Sequence, residues 1–307
     1  MDFLDQTRAN SVRRVFRAKR KLKVPGLVSH ITQRAAGKEP LFLEDSDYLY
    51  MLGLVKAISE QFSLSVYAFC LMQNHTHILA CPKEENLYDA MRDLFSRYAM
   101  WFNKKYERKG HLFGGPYRQA VCMDDSYLVA VSLYIHLNPV KAGLCQDVLH
   151  YRWSSARLYC QDDAPKSFLD PYFILNILSG KGENGKEVYR NLLHRGVELE
   201  TGQVLEQEDT IEHFRSKLVS LFPSIFKRIS GGNRSARAAG MNLVSMEALE
   251  EKIADLKGVP FTKDPQTRLA KKFLIEQLIS RGYKRGEIAE RLGVSRKTVY
   301  NILNTPT

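Results

Sequence analysis

Two histidines alternate with a threonine in Gln73-Asn74-His75-Thr76-His77-Ile78-Leu79, and the residues around them read as a β-strand. In a strand, side chains at i and i+2 project to one side, so His75 and His77 can offer two imidazoles to a single metal ion or phosphate. The same pair also suits a half-buried strand whose imidazoles hydrogen-bond to backbone, so it needs a second group to define a site. Upstream, Leu64-Ser65-Val66-Tyr67-Ala68-Phe69-Cys70-Leu71 is a β-branched and aromatic run, and Ile78-Leu79-Ala80 extends the apolar pattern until Pro82 stops it. Met72-Gln73-Asn74 is then the short link between two adjacent strands.

A candidate for the second group lies in Tyr134-Ile135-His136-Leu137-Asn138-Pro139, at the end of an apolar segment that starts near Asp124-Asp125-Ser126-Tyr127. The segment reads as a helix capped by Asp125 or Ser126 and stopped by Asn138 before Pro139, with Leu128, Val131, Leu133, Ile135 and Leu137 buried. Helical spacing makes Tyr134 and Asn138 neighbours on one face. A phenol and a carboxamide so placed can share a site with the histidines, although a helical tyrosine most often only packs, with its hydroxyl satisfied.

Taken in order, Gly26-Leu-Val-Ser-His-Ile-Thr-Gln-Arg34, Leu71-Met-Gln-Asn-His-Thr-His-Ile-Leu79, Gly110-His-Leu-Phe113, Tyr134-Ile-His-Leu-Asn-Pro-Val-Lys-Ala-Gly143 and Trp153-Ser154-Ser155 resemble the single-tyrosine transposases of the HUH superfamily, and more narrowly the REP-associated tyrosine transposases. The resemblance runs from about residue 26 to about residue 160. It implies a divalent metal held by His75, His77 and Asn138, and Tyr134 as the nucleophile. Thr76 departs from the pattern, which has a bulky apolar residue there, but alternation points it away from the metal. The implied reaction is transesterification of single-stranded DNA, leaving a 5′-phosphotyrosine and a free 3′-hydroxyl, and rejoining would need no ATP. No Walker-type phosphate loop is present in the sequence.

The residue types suit that chemistry. A phenol with a pKa near 10 attacks a phosphodiester poorly unless the phosphate is polarised or the phenolate stabilised, and a bound cation does both. Imidazoles favour zinc and its neighbours, whereas a carboxamide and phosphate favour magnesium or manganese, and the resemblance points to Mg2+ or Mn2+. Cys70, Cys81, Cys122, Cys145 and Cys160 are too scattered for a structural zinc site and too few for a secreted disulfide scaffold.

Composition points to a polyanion as partner: 45 Lys plus Arg against 34 Asp plus Glu give a formal charge of +11. Arg13, Arg14, Arg17, Lys19, Arg20, Lys21 and Lys23 crowd residues 1–25, a basic arm able to neutralise several phosphates or to remain a solvated tail. Asp2 and Asp5 argue against a transit peptide, and no apolar core follows to make a signal peptide. A cytoplasmic, nucleoid-associated bacterial protein with no membrane partner is the corresponding expectation. Leu87 to Tyr106 reads as an amphipathic helix with Leu94, Tyr98, Trp101 and Phe102 inward, and Arg92, Arg97, Lys104, Lys105 and Arg118 are candidate phosphate contacts near the site.

The expected architecture is α+β. Residues 26–160 form the catalytic domain, for which the resemblance implies a ferredoxin-like antiparallel sheet covered by helices. Breakers at Asp162-Asp163-Ala164-Pro165 and Gly180 to Gly185 introduce a helical linker over 161–235, with a hinge at Ser230-Gly231-Gly232-Asn233. Residues 236–307 end in a helix-turn-helix pattern: Ala289 is small where helices cross, Gly293 makes the turn, and Ser295 caps a helix burying Val299 and Ile302. Ser295, Arg296, Lys297, Thr298, Tyr300 and Asn301 then face outward, suited to duplex DNA. Two functions compete: a metal-dependent nuclease and strand transferase acting as a monomer on hairpin single-stranded DNA, or a non-catalytic DNA-binding regulator built on a decayed transposase domain. The intact set His75, His77, Tyr134 and Asn138 favours the first.

Overall fold

The structure, a computed structural model, describes residues 15–16, 21, 24–37, 39–162, 167–180, 182–199, 210–238, 246–257, 259, 264–280, 283 and 285–304. Most of the expected basic arm, Arg13, Arg14, Arg17, Lys19, Arg20 and Lys23, lies outside the described residues.

One sheet organises the first unit, residues 16–241. Its strands are β1 (Val15–Phe16), β2 (Ser29–Arg34), β3 (Leu64–Met72), β4 (His75–Pro82) and β5 (Arg118–Val121), in spatial order β1-β5-β2-β4-β3. The pairs β2–β4, β2–β5 and β3–β4 are antiparallel. With α1 (Asp45–Gln61) between β2 and β3 and α2 (Leu87–Lys105) between β4 and β5, the four longer strands have the βαββαβ connectivity of a ferredoxin-like core. The fold class expected from the sequence is the one found. Gln73 and Asn74 close the β3–β4 hairpin, in which Met72 faces His75.

Period-two alternation divides the sheet into two faces. Ile31, Phe69, Leu71, Ile78 and Ala80 pack with Leu54, Ile58, Leu94 and Phe102 of α1 and α2. Val28, Cys70, Leu79, Cys81 and Cys122 pack on the opposite side, under α3 (Asp125–Lys141). All but the last two residues of α3 are buried, which is why its sequence is apolar all round. Its cap is Asp124, whose carboxylate accepts from Tyr127 N at 2.7 Å, rather than Asp125 or Ser126. Nor does Asn138-Pro139 stop it. Proline forfeits one N–H, but the helix runs on to Lys141, and Ala142 N bonds to Asn138 O at 2.9 Å.

Three differences concern the segment after residue 160. After α4 (Ala156–Cys160), the helices α5 (Tyr172–Leu178), α6 (Gly185–Val197), α7 (Thr210–Leu221), α8 (Pro223–Ile229) and α9 (Arg234–Ala238) belong to the first unit. Those expected to act as a linker instead complete the core: Ile174, Tyr189, Leu192, Phe214, Leu218 and Phe226 are buried together with α3. The expected hinge is fastened down. Gly232 O accepts from Asp125 N at 2.9 Å, Arg234 N donates to Asp125 Oδ1 at 2.8 Å, and a Cβ on Gly232 would lie 2.3 Å from Asp125 Oδ2. Ser235 Oγ further accepts from Val28 N at 2.8 Å, so the boundary falls at residue 241 rather than 235.

The second unit holds α10 (Met246–Leu256), α11 (Pro265–Ser280), α12 (Arg285–Leu292) and α13 (Arg296–Asn304). Leu249, Leu274, Leu278, Ile288, Leu292, Val299 and Ile302 make its core. Gly293 turns with φ 64°, and Ser295 Oγ accepts from Thr298 N at 3.0 Å to cap α13, as the sequence predicts. Among the described residues no helix is long and apolar enough to cross a membrane.

Candidate active site

The face of the sheet under α3 carries the candidate site residues. β4 contributes His75 and His77, and β2 contributes His30, Thr32 and Arg34, which share that face because they alternate with Ile31 and Gln33. Register aligns them: Arg34 opposes His75 and Thr32 opposes His77, while Arg118 of β5 opposes Thr32 from the other side. From above, α3 brings Tyr134, whose ring lies edge-on 5.8 Å from that of His77 and 6.3 Å from that of His30. Asn138, one turn on, donates from Nδ2 to Tyr134 O at 2.9 Å. His75, His77, Tyr134 and Asn138 therefore stand together in space. Thr76 points to the other face, as alternation requires, and is fully buried there.

The imidazoles are oriented and uncharged. Asn74 Oδ1 accepts from His75 Nδ1 at 2.7 Å, which leaves the lone pair of His75 on Nε2. His77 Nδ1 lies 2.9 Å from His30 Nε2, with the two rings stacked at 5.1 Å. Burial, then the neighbouring His75 charge, holds His30 down at about 3. Burial and then Arg34 lower His75 to about 4, and burial with His75, His30 and Arg34 depresses His77 strongly. All three are neutral at pH 7, the state in which an imidazole ligates a metal.

Two buried polar atoms here have no hydrogen-bond partner among the described residues: His77 Nε2 and Asn138 Oδ1. Leaving such groups unsatisfied costs about 1–3 kcal/mol each. A hard cation held by these two atoms and His75 fits the donor set. Among the described residues no three His, Cys, Asp or Glu side chains form a metal cluster, and at this site the side chains that could hold a cation are His75, His77 and the Asn138 carboxamide. Burial pushes the Tyr134 phenol well up, opposed by a hydrogen bond from the Asn138 side chain and by the Arg34 charge. Tyr134 is only 4% exposed, and Phe214 of α7 packs on it with ring centroids 6.3 Å apart.

The basic residues divide by face. Arg118 starts β5 beside the site, and Lys21 lies over the Tyr117 ring at 4.3 Å, its pKa lowered to about 8 by burial and by Arg118. Arg92, Arg97, Lys104 and Lys105 ride on α2, which covers the opposite face, so they do not border the histidines. Arg92 and Arg97 pair with Asp89 and Asp93 on their own helix. Lys105 instead fastens α2 to α1, 2.6 Å from the buried Asp47 carboxylate. In the second unit Ser295, Arg296, Lys297, Tyr300 and Asn301 are exposed and Thr298 half-buried. Sequence reasoning gave no role to His30 and Arg34, although His30-Ile31-Thr32-Gln33-Arg34 already shows the alternation that puts both on the site face.

The antiparallel ferredoxin-like core thus carries a His-x-His strand facing a helix tyrosine. Residues 23–138 match the family described as "Transposase IS200 like", and residues 271–305 match the "Helix-turn-helix domain of resolvase". These two parts of the chain are thus similar to an IS200-like transposase and to a resolvase-type helix-turn-helix. Among solved structures, "Structure of the REP associates tyrosine transposase bound to a REP hairpin" is similar at 15% identity with a TM-score of 0.41, covering 50% of this chain and 94% of that one. No curated protein matches.

Proposed function

We propose that the protein is a divalent-metal-dependent DNA nicking and rejoining transposase in which Tyr134 attacks a phosphodiester of hairpin-bearing single-stranded DNA. The observation that carries this reading is the pair of buried polar atoms without partners, His77 Nε2 and Asn138 Oδ1, beside a buried phenol. A magnesium or manganese ion bound by His75, His77 and Asn138 would polarise a non-bridging phosphate oxygen. Tyr134 supplies the nucleophilic oxygen, forming a bond to phosphorus as the bond to the 3′ oxygen breaks, so that the diester energy is kept in a 5′-phosphotyrosine. Asn138 and Arg34 favour the phenolate over the phenol, against the burial that disfavours it. His30 holds His77 through one ring nitrogen and leaves the other for the ion.

Because α6, α7 and α8 of the same chain enclose the tyrosine helix, the site is read as complete within a monomer. Lys21, Arg118 and the exposed face of α13 are the proposed DNA contacts. The burial of Tyr134 favours a second reading, a DNA-binding regulator that no longer cleaves. One experiment separates them. Incubated with short hairpin oligonucleotides and Mg2+ or Mn2+, the wild-type protein should form a covalent adduct that Tyr134→Phe does not, and an unmodified wild-type protein that still binds the hairpin would favour the regulator.

A further inference from the structure

The sheet face that presents the histidines also presents a cation in register with them. Arg34 is the cross-strand partner of His75, at the end of β2 that lies beside the start of β4. Its side chain is half-buried, and the tyrosine helix lies over the same face. Arg34 thus shares one sheet face, in neighbouring register, with both candidate ligands and lies under the helix that carries Tyr134. Arg118, one strand further out and in register with Thr32, is a neighbour of Arg34 rather than of the ligands.

We propose that Arg34 is a catalytic residue: its guanidinium binds the phosphate that Tyr134 attacks and neutralises the charge that develops on its non-bridging oxygens. The inference rests on the transesterification proposed above. In that step the phenolic oxygen bonds to phosphorus, the bond to the 3′ oxygen breaks, the phenol loses its proton and the leaving oxygen gains one, with nothing oxidised or consumed. Negative charge on the two non-bridging oxygens grows on the way to the five-coordinate transition state. A planar fork of N–H donors matches two such oxygens better than an ammonium does, and in a site sheltered from water each contact is strong. Tyr134 is nearly enclosed, so a fixed cation is more useful there than counterions from solvent.

The test uses full-length protein, Mn2+, and hairpin oligonucleotides carrying either a phosphodiester or an uncharged methylphosphonate at the position the wild type cleaves. Adduct formation by the wild type on the phosphodiester, absent in Tyr134→Phe, tests the reaction itself and is scored first. Arg34→Met should then weaken hairpin binding by no more than a few fold but form adduct about a hundredfold more slowly at saturating phosphodiester hairpin. On the methylphosphonate, which has no charge to neutralise, the variant should approach the wild-type rate. Rescue by a neutral linkage is a result that a merely structural arginine would not give. An Arg34→Met rate within about threefold of wild type on the phosphodiester, or an equal deficit on both linkages, overturns the proposal. Should Arg34→Met lose hairpin binding through misfolding, Arg34→Lys keeps the charge and decides the matter: a partial loss relieved by the methylphosphonate supports the role, and full activity overturns it.

Discussion

The two faces of one sheet differ in what they do with buried polar groups. On the α1/α2 side the polar atoms of the Asp47 cluster are satisfied: its carboxylate accepts from Leu43 N and Glu44 N, from Tyr106 Oη and from Lys105 Nζ. Around it Tyr48 stacks on Trp153 at 4.4 Å and Tyr50 on Trp101 at 4.1 Å. On the α3 side the same sheet buries His30, His75, His77, Tyr134 and Asn138 and leaves His77 Nε2 and Asn138 Oδ1 without partners. Isolated buried atoms, Thr76 Oγ1 and Tyr117 Oη, lack partners on the α1/α2 face too, but on the α3 face a ring nitrogen and a carboxamide oxygen do so beside a buried phenol, an arrangement suited to something bound. Substitutions on the two faces should accordingly fail in different assays.

The largest expected effect is on the α3 face. Tyr134→Phe removes only the nucleophilic oxygen, so adduct formation on gels should vanish while the hairpin dissociation constant changes by no more than about twofold. A labelled adduct in that variant would move the nucleophile elsewhere. Next, His77→Ala and Asn138→Ala should each lower metal-dependent cleavage by about tenfold to a hundredfold and weaken Mn2+ binding in calorimetry. Cleavage that survives in EDTA would dissolve the contrast between the faces.

The opposite face should break in stability alone. Leu94, fully buried under the sheet, is expected to cost about 3 kcal/mol when replaced by Ala, read from urea unfolding, with the adduct rate at saturating DNA unchanged. Asp47→Asn should cost about 2 kcal/mol at pH 7. Burial pushes the Asp47 carboxyl up, but Lys105, the Leu43 and Glu44 amides and Tyr106 outweigh it, so its folded pKa lies below the ordinary 3.8. A carboxylate with a lowered folded pKa contributes stability that is present above its unfolded value and disappears as pH falls through the folded one. Melting curves of wild type and Asp47→Asn should therefore converge as pH falls through the folded pKa of Asp47, below the ordinary 3.8, and a gap that widens on acidification would reverse the sign of this assignment.

The smallest effect is expected far from both faces. Lys297 is exposed on α13, and Lys297→Ala should weaken duplex binding without changing hairpin cleavage, reducing the salt slope of duplex affinity by about 1. An unchanged slope would remove α13 from the DNA contacts.

Local sequence determined the parts of the site that depend on period and spacing. Alternation put His75 and His77 on one strand face, helical spacing put Tyr134 and Asn138 one turn apart, and Gly293 with Ser295 set the turn and cap of the last helix pair. These hold because they are fixed within a few residues of chain. What the sequence alone left open was how separate elements meet. Nothing local says that α2 covers the face away from the histidines, which removes Arg92, Arg97, Lys104 and Lys105 from the site, since a helix crosses to one side or the other only through packing. Nor does Ser230-Gly231-Gly232-Asn233 reveal that it docks on Asp125 instead of flexing, or that helices α5 to α8 enclose α3. His30 and Arg34 gained their places through the β2–β4 register, a pairing between residues more than forty positions apart in the chain, and only the closed sheet brings such residues to one point.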